Sequence, residues 1–256
     1  MEGVQPMTAR SAEVAATFIR PDDAGRTHPD EMSRAHHALR RAIMHGDLRA
    51  GDPLSQVELA RQLGVSRGPL REALRILQRE GFVVQESQHR ARVAAFSDDD
   101  LDELYAMRIS LESLAIGIAV PRMTEDHLQH LNELLREMDE KARTGDVEQW
   151  ECPHEKFHRA LVHPSGPRLE RELALLSDHA TRYRLAFVSW NPLEWQADTS
   201  TQHHTIADAV QSRDAKAASR ALATHLARTA LVVLSIASPS YEPVRIRKAL
   251  ASACAD

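Results

Sequence analysis

The stretch Leu63-Gly64-Val65-Ser66-Arg67-Gly68-Pro69-Leu70-Arg71-Glu72-Ala73-Leu74 decides how the rest of this 256-residue chain is read. Gly64 ends a short helix that begins near Ser55 and supplies the permissive backbone of a sharp turn. Val65 is the apolar plug of that turn and Ser66 stands at the N-cap position. Pro69 falls in the first turn of the next helix, where a missing N–H costs little. Leu70, Leu74 and Leu77 recur at helical spacing and define an inward face. Arg67, Arg71 and Arg75 climb the other face in four-residue steps. A helix, a tight glycine turn and an arginine-bearing helix predict a helix-turn-helix whose second helix enters a DNA major groove. A solvated helical hairpin would carry the same arginine stripe, so the flanks decide.

Before the stretch lies an amphipathic segment, Ser33 to His45, closed by Gly46. After it come Glu80-Gly81-Phe82-Val83-Val84, a polar tip from Gln85 to Arg92, and Val93, which read as a helix end and two short strands, a wing. The run AIMHGDLRAGDPLSQVELARQLGVSRGPLREALRILQREGFV, residues 42–83, resembles the winged-helix domain of the GntR family of bacterial transcription regulators. The resemblance implies that Ser66, Arg67, Gly68 and Arg71 approach bases and phosphates, with Gln88, His89 and Arg90 at the wing tip. It also implies a homodimer reading a palindromic double-stranded operator, because twofold protein symmetry asks for twofold symmetry in the site. Two positions depart from the family pattern: Val57 stands where an Arg usually precedes Glu-Leu-Ala, and Arg90 where the wing tip usually has a Gly.

The formal net charge of −5 looks wrong for a DNA-binding protein until it is divided along the chain. Residues 33–95 hold 11 basic against 6 acidic side chains, whereas residues 98–256 hold 18 against 25. Phosphate attraction depends on the local field, so one basic module joined to an acidic one satisfies it. Cys152 and Cys254 are too few and too distant for a disulfide framework, which fits a reducing cytoplasm. The first thirty residues lack the cationic start and apolar core of a secretion signal, and no apolar run approaches the ~20 residues of a membrane span. The expected organisation is a mobile tail over 1–32, the winged helix over 33–96, a helical domain over 97–238 and a loose tail over 239–256.

From Ser97 onward the pattern is helical almost throughout, with segments near 98–120, 124–144, 147–163, 167–190, 197–212 and 214–237. Pro121, Gly145, Pro164-Ser165-Gly166, Asn191-Pro192 and Arg213-Asp214 separate them, and no strand alternation survives. The fold class expected is mostly α: three helices and a small β-wing, then an all-α bundle. Leu104–Val120 (LYAMRISLESLAIGIAV), His154–Leu161 (HEKFHRAL) and His203–Leu226 (HHTIADAVQSRDAKAASRALATHL), in that order, resemble the FCD domain of the FadR branch of the same family. That domain is an effector-binding and dimerisation module.

His154 and His158 stand four apart, so a helix projects both imidazoles from one face. The resemblance implies metal ligands at these positions: His158, His203 and His225 match three family histidines, and His154 occupies the place of an Asp. An all-imidazole set suits zinc first and nickel second among divalent transition ions, rather than magnesium or calcium. Arg108 and Glu112 match an Arg and a Glu of the first effector-domain helix. Arg108 is therefore a candidate to clamp a small organic acid, although a surface ion pair between the two is nearly as good a reading. Tyr183, Arg184 and Trp190 are candidates for the lining of that pocket, or simply core.

His154-Glu155-Lys156-Phe157-His158 also spells H-E-x-x-H, the zinc-peptidase signature in which the Glu activates water. The downstream glycine and third histidine of the extended metzincin form are missing, and a single Asp-to-His replacement in an FCD helix creates the motif. The reading preferred is a ligand-responsive transcription regulator, a repressor rather than an enzyme. Two alternatives stand beside it: a zinc metallopeptidase, and a metal-free dimeric DNA-binding protein.

Overall fold

The computed structural model describes residues 28–87, 90–144, 147–188 and 192–255, which divide into two compact units at Ala95/Phe96. The N-terminal unit contains α1 (His28–Met44), β1 (Pro53–Leu54), α2 (Gln56–Leu63), α3 (Arg67–Arg79), β2 (Val83–Ser87) and β3 (Arg90–Val93). The C-terminal unit contains α4 (Asp98–Ala119), α5 (Glu125–Thr144), α6 (Val147–Val162), α7 (Pro167–Val188), α8 (Pro192–Gln211), α9 (Ala215–Ala237) and α10 (Val244–Cys254).

In the first unit Ser55 caps α2 by accepting a hydrogen bond from the Glu58 amide, and Gly64 ends it at φ +60°, in the left-handed region. That conformation lets Gly64 and Val65 return their amides to the last carbonyls of α2, so the chain reverses into α3. Pro69, Leu70, Ala73, Leu74 and Leu77 form the buried face of α3 and pack against α1, where Ala35, Leu39 and Ile43 are buried. Each fully buried Leu contributes about 1.5–3 kcal/mol, which fixes the outward direction of the arginines. The strands form one antiparallel sheet in the order β1-β3-β2, with Leu54 opposite Ala91 and Val84 opposite Arg92. The strand at Pro53–Leu54 was not expected. It forms because Gly51 and Asp52 exchange backbone hydrogen bonds with Val93 before Leu54 turns into the core.

In the second unit α4 is the central rod, packed on α7, α9 and α10. Ser97 caps it, accepting from the Asp100 amide, and three acidic residues sit in its first turn, beside the positive helix end. Gly117 lets α9 approach closely, since a Cβ there would meet Ser219 Oγ at 3.2 Å. By length and composition α4, with the short turn after it, and α9 are apolar enough to span a membrane, against the expectation of no such run. They are instead the mutually packed core helices of this unit, and α4 buries Arg108 and Glu112 within it.

The chain ends differ from expectation. Helix α1 starts at His28 rather than Ser33, while residues 1–27 of the expected tail lie outside the described residues. Residues after Pro239, expected to be loose, form α10 and pack on α4 through the fully buried Ile246. The missed signal is a buried carboxylate. Asp102, with no exposed surface, accepts the Ile246 amide at 2.9 Å and the Arg245 amide at 3.1 Å, and so caps α10 from another helix.

Candidate functional site

Two sets of residues present chemistry. On the first unit Arg67, Arg71 and Arg75 are exposed along α3, as the leucine spacing requires, while Gly68 is half-buried at its start. Arg75 is engaged by Glu72 at 2.6 Å, which leaves Arg67 and Arg71, nearer the helix start, as the better phosphate and base donors. Ser66 has the extended backbone of an N-cap, but its side chain does not cap α3. Its hydroxyl and its amide both reach Glu31 Oε2, each at 3.2 Å. Gln88 and His89 lie outside the described residues, as does the side chain of Arg90. Val57 projects from α2 with 60 % of its surface exposed.

The second set is buried in the C-terminal unit. His154 and His158 come from adjacent turns of α6, His203 from α8 and His225 from α9, and all four are at least nine-tenths buried. One ligand atom from each lies within 4.8 Å of every other, and His158 Nε2 is 3.3 Å from His203 Nε2. Two zinc–nitrogen bonds laid end to end span about 4.2 Å, so ligand atoms up to 4.8 Å apart need to close by at most about 0.6 Å to share one ion. His225 Nδ1 is 3.0 Å from Gln202 Oε1 and His154 Nδ1 is 3.4 Å from Glu151 Oε1. A proton on each Nδ1, donated outward, leaves the Nε2 lone pair facing inward. Burial first, then Arg184, His203 and Arg108, hold His154 well below the usual histidine range, and burial first, then the imidazoles of His203 and His154 ahead of Arg108 and Arg184, does the same to His225. Burial and its imidazole neighbours, with a smaller push from Arg108, do the same to His158. The neutral imidazole is the ligating form. His158 Nδ1 is buried without a hydrogen-bond partner among the described residues, and four imidazole ligand atoms brought this close are what a late divalent ion takes.

Around the cluster sit two buried ion pairs. Arg108 Nε donates to Glu112 Oε1 at 2.7 Å, with both side chains nearly fully buried, so this pair is interior rather than on the helix surface. Arg184 from α7 donates to Glu151 and to Thr181 Oγ1. Tyr183, the preceding residue, takes no part in the cluster: its hydroxyl donates to Asp100 Oδ2 at 2.6 Å and accepts from the Ser97 amide. Trp190 lies outside the described residues. His204 pairs with Asp139 and His163 with Glu170, both away from the four.

The peptidase reading fails on geometry. Glu155, which would have to reach a metal-bound water, pairs instead with Arg159 at 2.6 Å on a partly exposed face. Glu151 and Gln202 were not singled out from the sequence. Glu151 was within reach, since it precedes His154 by three residues on one helix.

Residues 32–93 match the family described as bacterial regulatory proteins, gntR family, and residues 103–228 match the FCD domain. The HTH-type transcriptional repressor GlaR of Escherichia coli strain K12 is 29% identical over 197 residues, covering 73% of this chain and 89% of that protein. The probable D-xylose utilization operon transcriptional repressor of Paenarthrobacter nicotinovorans is 30% identical over 186 residues, covering 72% of this chain and 80% of that protein. Among solved structures, E. coli McbR/YncC superposes with a TM-score of 0.71 at 25% identity, covering 80% of this chain and 97% of that one.

Proposed function

The chain belongs to the GntR family of bacterial transcription regulators, in its FadR-like branch with a C-terminal FCD domain, and from that premise we propose how this DNA-binding regulator is switched. The protein acts in the cytoplasm as a homodimeric repressor on a palindromic operator. Arg67 and Arg71 at the start of α3, with Ser66 and Gly68, meet the major groove, and Gln88, His89 and Arg90 meet DNA from the wing. Repression is the sign favoured by the names of both sequence relatives described above.

One observation carries the effector half: four buried histidines from three helices present their ligand atoms within 4.8 Å of one another. His154, His158, His203 and His225 would hold one divalent transition ion, zinc before nickel. Bound there, the ion supplies a positive charge that four neutral imidazoles do not cancel, in a setting of low dielectric. The centre therefore favours an anion, and a small organic acid is the effector class. Arg108 is the protein's own second cation toward that acid, held in place by Glu112. Because α6, α8 and α9 each contribute ligands, an acid that binds there biases how these helices pack, and operator affinity follows.

The test is metal analysis of purified protein followed by operator gel shifts with and without zinc, nickel and a panel of organic acids. One equivalent of metal per chain and an acid-dependent change in operator affinity are expected. A metal-free protein whose DNA binding ignores zinc and every acid leaves only the dimeric DNA-binding alternative.

A further inference from the structure

The fourth imidazole of the cluster brings a carboxylate with it. Glu151 and His154 share one face of α6, both are buried, and Glu151 Oε1 lies 3.4 Å from His154 Nδ1. On its flat side the His154 ring stacks on Trp150, with centroids 4.3 Å apart and planes at 21°. Glu151 is itself held: Arg184 Nε reaches its Oε2 at 3.3 Å, Arg184 Nη2 donates to Oε1, and Nη2 also reaches Thr181 Oγ1 at 3.2 Å. The imidazole is thus fixed in plane by an indole and in rotation by a carboxylate that cannot swing away.

We propose that Glu151 is a positioning residue of the metal centre. It accepts the Nδ1 proton of His154, fixes Nε2 as the donor facing His158, His203 and His225, and so makes His154 a ligand. It also places a negative charge behind the imidazole. Arg184, itself anchored on Thr181, holds the carboxylate at that distance and keeps it from entering the centre. The proposal rests on the reading of the four histidines as a metal site. An ordinary structural ion pair between Glu151 and Arg184 would affect stability but would not act on metal through His154.

Competition against a chromogenic zinc chelator separates the two roles, using the 256-residue chain, Glu151→Gln, His154→Ala and the double variant. Glu151→Gln is expected to weaken zinc binding about 10- to 100-fold, as loss of such outer partners does. In the His154→Ala background the same substitution should change zinc affinity by no more than about twofold, because the group it acts through is gone. Should Glu151→Gln fail to fold, Glu151→Asp keeps the charge for Arg184 but withdraws it from His154, and zinc affinity should still fall. Zinc affinity unchanged in both Glu151 variants overturns the proposal, as does a loss that adds in full to that of His154→Ala. A parent protein that takes up no zinc overturns the metal reading itself, and that result is read before any variant is made.

Discussion

The Nε2 atoms of His158 and His203, 45 positions apart in the chain, meet at 3.3 Å in the interior of the C-terminal unit. The edge of a tetrahedron of ligands around zinc measures about 3.3–3.4 Å for bonds of about 2.0–2.1 Å. The two imidazoles therefore already stand at ligand spacing. Zinc at 100 times its dissociation constant should stabilise the protein by about 2.7 kcal/mol. For a unit of this size that is about 5–10 °C in melting temperature. Chelator treatment should reverse the shift in differential scanning fluorimetry, and His158→Ala or His203→Ala should abolish it. Equal melting temperatures with and without zinc would count against the centre.

Arg71 is exposed on α3, and its spacing from the buried Leu70 and Leu74 fixes that exposure. Arg71→Ala should leave the melting temperature within a degree or so of the parent and reduce operator affinity by about 1–3 kcal/mol, roughly 5- to 150-fold. Arg75→Ala should cost less, since Glu72 already engages that side chain. Fluorescence anisotropy with a labelled operator measures both, and equal losses at the two positions would reject the assignment of the helix start as the reading end.

Asp102 caps α10 from inside α4. Asp102→Ala strands the amides of Arg245 and Ile246 and removes an acceptor from Tyr241 and Arg245. A loss of about 2–3 kcal/mol is expected, with early hydrogen exchange confined to residues 244–254. Exchange that rises evenly over the C-terminal unit would instead make α10 part of one cooperative core.

The same corner sets a pH window. Hydrogen bonds from Tyr241 and Arg245 hold the Asp99 carboxyl below its usual range, so the stabilisation it gives is present above the unfolded carboxylate pKa and lost as pH falls through the lower folded value. Burial and the bond to Asp99 push Tyr241 up to about 12, so its contribution is present below the unfolded value of about 10 and lost as pH rises through about 12. Docking of α10, followed by exchange or by a fluorophore on Cys254, should be flat between about pH 5 and 9 and weaken outside it. A transition near neutrality would contradict this.

Much of the fold was legible because its signals are local. Gly64 between two leucine-spaced segments determined the turn and the outward arginines, and the six helix segments of the second half follow from apolar spacing broken by Pro and Gly. The four histidines could be named, since His154 and His158 share a helix face and the resemblance supplied the other two. Glu151 as their partner, Asp102 as a cap supplied from another helix, and the interior setting of the Arg108–Glu112 pair needed coordinates. A buried charge is decided by what surrounds it, and those neighbours come from helices distant in sequence. Arg184, for instance, reaches Glu151 across 33 positions. By itself the sequence determined which surfaces face inward, because period and turn chemistry act over a few residues. Only the tertiary structure decided which polar groups meet there, because desolvation makes each buried charge depend on one partner whose place no short-range pattern encodes.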